Sequence, residues 1–259
     1  MKALVFAAGL GTRLRPITDT LPKALVPVGG KPLLYHVVSK LKAAGIVQVV
    51  VNVHHFADSV IAYVQEQESF GIDVRFSDER DLLLDTGGGI LKARELLQGG
   101  PFLVHNVDII SDLDLVWFIS QARPDALSNI VVSDRKTRRY LLFDDDMRLV
   151  GWTDTATGEM KSPYTGLDPS KCRKYAFAGI HLISEDIFDV FEEGGWSGRF
   201  PIMDFYLKEC AKHPVYGIVP PSLTLIDAGK PETLKEAEAF LKRRDLTDNP
   251  LKTKEYGKE

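Results

Sequence analysis

The chain has 259 residues, 36 acidic and 32 basic, and is 44% hydrophobic with a formal net charge of −4. That apolar content excludes a disordered chain, and the length admits one large α/β domain or two small ones. The mild acidity gives no long-range reason to expect nucleic-acid binding, so an anionic ligand has to be held by a local site.

The first residues, MKALVFAAGLGTRLRP, hold an apolar run, Ala3–Ala8, that Gly9, Gly11, Arg13 and Arg15 interrupt too early for a secretory signal. No window reaches the ~20 apolar residues of a membrane span. Cys172 and Cys210 are isolated, with neither metal nor redox spacing. A soluble cytoplasmic protein with reduced thiols is expected, with no membrane or nucleic-acid partner.

Along the chain, strand-like runs at Lys2–Ala8, Gln48–Val53, Ile72–Phe76, Phe102–Asn106 and Ser128–Val132 alternate with helix-like stretches. The helices are expected at Pro32–Ala44, Ala57–Gln67, Gly89–Leu97 and Leu113–Ala122. In the first, Leu33, Val37, Leu41 and Ala44 share one face, Pro32 suits the opening turn and Gly45 a C-terminal cap. Short apolar strands between helices predict an α/β fold, a mostly parallel sheet sandwiched by helices. After about residue 134, Tyr140–Phe143, Leu149–Trp152 and Tyr175–Ile183 read as a small antiparallel patch. Helices return at Glu185–Phe191, Ile202–Lys212 and Glu232–Arg243. The expected organisation is one domain over 1–243, its halves meeting near residue 134, and a polar tail over 244–259 that is loose or a docking arm.

The glycine-rich turn after the first strand, Phe6 to Pro16, lets backbone approach a ligand closely and can form an anion-binding nest. A dinucleotide fingerprint does not fit. Its third glycine is replaced by Leu14, Pro16 breaks a helix, and the second strand carries Asn52 where an acidic residue is needed. A P-loop is absent, and a tight turn without ligand remains the alternative for a bare Gly-x-Gly.

The context is more specific. Gly9-Leu10-Gly11-Thr12-Arg13 is followed by Leu21-Pro22-Lys23-Ala24-Leu25-Val26-Pro27-Val28, and Lys31-Pro32 then opens a helix. This resembles the signature of sugar-1-phosphate nucleotidyltransferases, AAGxGTRLxPLT followed by PKxLxPVxxKPLL. The resemblance continues to about residue 243. It implies the Rossmann-like nucleotide-diphospho-sugar transferase fold, with a nucleotide-binding half (1–134) and a sugar-binding half (135–243).

By that resemblance Ala7, Ala8, Gly9, Gly11 and Thr12 wrap a nucleoside triphosphate; Asn52, by its place at the end of the second strand, is a candidate nucleotide contact. Arg13 clamps its phosphates and Lys23 holds the phosphates of the reacting pair, which makes these two the catalytic residues. Thr86, Gly87 and Gly88, in a triple-glycine block at a helix start, lie against base and ribose. The Thr-Gly-Gly-Gly-Ile form is most like the branch of N-acetylmuramate-1-phosphate uridylyltransferases and some heptose or mannose-1-phosphate enzymes. Asp108, in His105-Asn106-Val107-Asp108, and Asp227, in Leu225-Ile226-Asp227-Ala228-Gly229-Lys230-Pro231-Glu232, are the implied Mg²⁺ ligands. Lys23, Asn106, Gly179 and Asp227 are the implied sugar-phosphate contacts.

Two departures stand out: Val107 replaces the usual glycine, and the Glu-Lys-Pro triplet that precedes the Phe177-Ala178-Gly179-Ile180 strand in many members is missing. The basic residues Arg135, Arg138 and Arg139 suit an acidic sugar or, equally, a solvated face. His54 and His55 lack a third ligand at metal spacing and read as edge residues. The implied reaction joins a nucleoside triphosphate, UTP favoured and GTP possible, to a sugar-1-phosphate with loss of pyrophosphate. N-acetylmuramate-1-phosphate is the first substrate expected. The alternatives are a mannose- or heptose-1-phosphate guanylyltransferase and a non-catalytic nucleotide-sugar sensor. A monomer and a homodimer are both compatible with the sequence.

Overall fold

The computed structural model describes the backbone of residues 1–248 and side chains as far as residue 244. The chain runs β1 (Lys2–Phe6), a hairpin of β2 (Pro27–Val28) and β3 (Lys31–Pro32), α1 (Leu33–Ala43), β4 (Gln48–Val53), α2 (Ala57–Glu66) and β5 (Asp73–Asp78). It continues with α3 (Asp85–Lys92), α4 (Arg94–Leu97), β6 (Phe102–Asn106), β7 (Ile109–Ser111), α5 (Leu115–Ser120) and β8 (Ser128–Ser133). Strands β9 (Arg139–Phe143), β10 (Leu149–Asp154), β11 (Met160–Lys161) and β12 (Arg173–Ile183) follow. The chain ends with α6 (Ile187–Glu193), α7 (Ile202–Glu209), β13 (Val215–Ile218), β14 (Leu225–Asp227) and α8 (Pro231–Asp248). The polar tail expected from residue 244 starts within α8, and past residue 248 it lies outside the described residues.

Ten strands form the main sheet, in which β6, β1, β4 and β5 are neighbours and parallel. Both faces of β6, β1 and β4 are covered, which is why they read as near-continuous apolar runs, whereas β5, at the sheet edge, alternates and stays partly exposed. In β1, Ala3 and Val5 enter one core, with α1, α2 and α8, while Leu4 enters the other, with Ile90, Phe102 and Phe205. Each helix docks by one stripe: Leu33, Leu34, Val37, Val38 and Leu41 of α1 are buried. Gly45 then ends that helix in the left-handed region, at φ +80°.

The expected antiparallel patch is present as β9, β10 and β11, joined to the sheet through β12. The strand β8 differs from expectation. It pairs antiparallel with β12 and parallel with β13, an element with no counterpart in the sequence reading. A separate two-stranded ladder, β7 with β14, was also not foreseen, and it sets Asp227 opposite Ile109. Both cysteines are free, and no helix among the described residues is long and apolar enough to cross a membrane.

Candidate active site

At the carboxyl ends of β1, β4 and β6 lies a cavity of about 380 Å³, at the sheet edge where open α/β folds bind ligands. Phe6, Ala8, Gly9, Arg13, Lys23, Asn52, Thr86, Asn106 and Asp108 line it, together with Glu79, Leu83, Asp85 and Arg199. Of the residues that the sequence points to, Ala7, Gly11, Thr12, Gly87, Gly88, Gly179 and Asp227 stand behind or beside this lining.

The loop after β1 turns back on itself. Gly11 has φ +64°, and a Cβ there would meet Thr18 Cγ2 at 2.7 Å, so the turn needs glycine for conformation and for space. Thr18 Oγ1 donates to Gly11 O at 2.8 Å, which fixes the fold-back. The amides of Ala7 and Ala8 are already used: both donate to Asn52 Oδ1, at 2.6 and 3.1 Å. The N–H groups of Gly9, Leu10 and Gly11 have no such partner among the described residues. The free donors of the loop therefore begin at Gly9, and Ala7 and Ala8 act as its anchor.

The charged groups converge. Lys23 Nζ donates to Asp108 Oδ2, Arg13 Nη2 lies 3.8 Å from the same oxygen, and Arg13 Nη1 lies 3.5 Å from Asp227 Oδ2. The ladder of β7 and β14 brings the two carboxylates together, with Ala228 N donating to Asp108 O at 2.8 Å. Gly229 leaves room for the Arg13 guanidinium between them, since a Cβ there would stand 2.6 Å from Arg13 Nη2, 2.7 Å from Asp227 Oδ1 and 2.9 Å from Asp108 Oδ2. Burial pushes the Asp227 carboxyl up, but the Gly229 N–H and the Arg13 and Lys23 charges outweigh it and hold it below the usual range. The two neighbouring carboxylates, here neutralised by Arg13 and Lys23, are a donor pair that would suit a divalent cation completed by water and phosphate oxygens. No cluster of three or more candidate metal-ligating side chains exists among the described residues. His54 Nδ1 bonds to Glu79 O at 2.7 Å.

The triple-glycine block differs from the loop expected to lie on the base. It forms the first turns of α3, and its glycines are buried against protein. A Cβ on Gly87 would meet the Phe200 ring at 2.2 Å, and one on Gly88 would meet Gly198 O at 2.2 Å. Gly87 N and Gly88 N both point to Phe200 O, at 2.9 and 3.2 Å. Close packing against the 198–200 segment therefore accounts for these two glycines, and Thr86 is the residue of the block that reaches the cavity. Asn106 also reaches it. Behind Asn106, Gly179 has φ +74° where the β12–β8 register shifts, and a Cβ there would lie 2.9 Å from Asn106 Nδ2. Val107, in place of the usual glycine, is buried in the core.

The basic trio near β9 is engaged elsewhere. Arg138 and Arg139 pair with Asp154 at 3.1 and 3.5 Å, and Arg135 donates to Phe177 O at 3.1 Å. Arg199 was not foreseen. It is exposed on the cavity wall formed by Leu83, Asp85 and Thr86, and it makes no ion pair among the described residues. Glu79 was not foreseen either; nothing in its local sequence marks it.

The sequence profile described as nucleotidyl transferase matches residues 2–142. An N-acetylmuramate alpha-1-phosphate uridylyltransferase from Caulobacter vibrioides is 36% identical over 246 residues, spanning 92% of this chain and 96% of that protein. One from Neisseria meningitidis is 31% identical, over 93% and 98% of the two chains. Among solved structures, HddC from Yersinia pseudotuberculosis complexed with GMP-PN superposes with a TM-score of 0.73 at 24% identity, covering 93% of this chain and 99% of that one. This last likeness speaks for the fold.

Proposed function

This chain belongs to the nucleotidyl transferase family, and from that premise we propose that it joins UTP to N-acetylmuramate-1-phosphate, or a closely related sugar-1-phosphate, releasing pyrophosphate. It is a nucleotidyltransferase enzyme, which sets the sensor reading aside. The observation that carries the proposal is the convergence of Arg13, Lys23, Asp108 and Asp227 beside a cavity walled by the glycine-rich loop. The full-length similarity to two uridylyltransferases favours the uridine and muramate choice.

In the proposed reaction an anionic oxygen of the sugar-1-phosphate attacks the α-phosphorus of the triphosphate. The new P–O bond forms as the bond to pyrophosphate breaks, and no proton need be removed from the nucleophile. The work left to the protein is alignment and charge neutralisation. The free N–H groups from Gly9 to Gly11 face the phosphates. Lys23 and Arg13 carry fixed positive charge to the crowded phosphorus, where it counts most as charge develops. Asp108 and Asp227 would hold Mg²⁺, which when bound supplies further neutralisation of phosphate charge. Arg199, exposed in the cavity lining and without an ion pair among the described residues, is placed to receive a second anionic group such as the carboxylate of a muramate.

The test is pyrophosphate release over UTP, GTP, CTP and dTTP crossed with muramate-, glucosamine-, mannose- and heptose-type phosphates. The highest kcat/KM is expected for UTP with N-acetylmuramate-1-phosphate. Preference for GTP with a mannose or heptose phosphate would replace this reading by the guanylyltransferase one.

A further inference from the structure

Two buried polar side chains in the cavity wall belong to neither the charged cluster nor the glycine-rich loop. Asn52 lies in β4 and Glu79 just after β5, and they are 2% and 0% exposed. Asn52 Oδ1 accepts from Ala7 N and Ala8 N, and Asn52 Nδ2 donates to Glu79 Oε1 at 2.8 Å. Glu79 Oε2 in turn accepts from Leu84 N at 3.0 Å. The bridge thus runs from the root of the glycine-rich loop to the residue before α3.

Its polarity is forced. Backbone donors stand at both ends, so the carboxamide must accept at its oxygen and donate from its nitrogen. The last member must then accept at both of its oxygens, which a carboxylate does and a carboxamide does not. Gly89 leaves the space for it, since a Cβ there would lie 2.9 Å from Glu79 Oε1 and 3.4 Å from Asn52 Nδ2. Breaking such a network leaves buried donors unsatisfied, which costs more than the lost bond itself.

We infer that Asn52 and Glu79 are positioning residues that hold the two walls of the nucleotide cavity, Ala7–Gly9 and Leu84–Thr86, at a fixed separation before the triphosphate binds. The inference rests on the reading that this cavity takes a nucleoside triphosphate. Neither side chain needs to touch the reacting atoms. Asn52 aims the free amides that follow Ala8, and Glu79 ties that aim to the segment carrying Thr86.

Two single substitutions and their combination test this on the full chain. Glu79→Gln sets a donor against a donor, and Asn52→Asp sets a carboxylate against Glu79. The double substitution restores every bond. The new carboxylate at position 52 accepts from Ala7 N, Ala8 N and the new carboxamide, whose oxygen accepts from Leu84 N. The charge moves from position 79 to position 52. UTP and GTP affinities, measured by calorimetry with Mg²⁺ present, are expected to fall about tenfold or more in each single variant. They are expected to return to within about threefold of the wild type in the double. The KM for the sugar-1-phosphate is expected to stay within about twofold throughout.

Folded single variants that bind as the wild type does, or a double variant as weak as the singles predict additively, would overturn the inference. Should a single variant not fold by circular dichroism, the double decides: recovered folding with recovered affinity supports the bridge, and anything less overturns it. A wild-type protein that binds neither UTP nor GTP would instead overturn the functional reading beneath it.

Discussion

Lys23 and Asp108 form an ion pair in which both side chains are largely shielded, at 15% and 10% exposure. Such a pair adds little net stability, because taking two charges out of water costs about what their attraction returns. Its consequence is positional: the ammonium group is fixed beside the cavity in advance of any phosphate. Replacing it by Lys23→Met leaves Asp108 with only the longer Arg13 contact. Pyrophosphate release is expected to fall by about 100-fold or more, with a lower melting temperature. A variant that keeps wild-type turnover would remove Lys23 from the proposed chemistry.

The Asp227 carboxylate is shared between Arg13 and the space at Gly229. Asp227→Asn keeps the shape and removes the charge. The Mg²⁺ concentration for half-maximal activity is expected to rise about tenfold or more, measured by titrating MgCl₂ at saturating substrates. An unchanged titration curve would mean that the metal sits elsewhere.

Gly88→Ala tests why three glycines open α3. Alanine is the better helix former, so propensity alone predicts a gain of up to about 1 kcal/mol. The new Cβ would stand 2.2 Å from Gly198 O, a backbone atom that cannot swing aside. Overpacking should win, with a net loss of about 1–3 kcal/mol in denaturant unfolding. A stabilised variant would contradict the packing account.

The imidazoles of His105 and His181 are fully enclosed, and burial lowers them from 6.5 to about 4 and about 3. In the unfolded chain both take up protons near pH 6.5, whereas the folded chain resists until about pH 4 or below. The unfolded state therefore binds more protons across that window, and stability must fall as pH drops through it. Melting temperatures measured from pH 7 to pH 4 should decline, and His181→Gln should shallow the decline. A flat profile in the parent protein would refute the assignment.

Arg199 separates acidic from neutral sugars if the muramate reading holds. Arg199→Gln is expected to raise the KM for N-acetylmuramate-1-phosphate about tenfold and to leave that for N-acetylglucosamine-1-phosphate within about twofold. Equal effects on the two would assign the guanidinium to the shared phosphate instead.

The architecture was legible where a local pattern decides it. β1, β4 and β6 announce themselves because both their faces are buried, and α1 because its apolar stripe repeats at helical spacing. The short ladder of β7 and β14 was not legible: three residues per strand carry no periodicity, and their pairing spans more than a hundred positions. The glycine triplet stands out in the sequence, but its packing against Phe200 does not, because that partner comes from a distant segment. In the sequence Asn52 reads as the residue that excludes a dinucleotide fingerprint and as a possible ligand contact, not as a link between loops. Its partner Glu79 could not be picked from the neighbouring Asp78, Arg80 and Asp81, since burial alone distinguishes it.

The pairing of Arg13 with Asp227 spans 214 positions, and β14 contributes its aspartate only after nearly all the other strands have been placed. A chain still emerging from the ribosome, or one cut short before residue 227, can own the glycine-rich loop, Arg13, Lys23 and Asp108 and still lack the last charge of the cluster. Assembly of the charged cluster thus waits on β14, and any chain that lacks that strand keeps three of the four charges without the fourth.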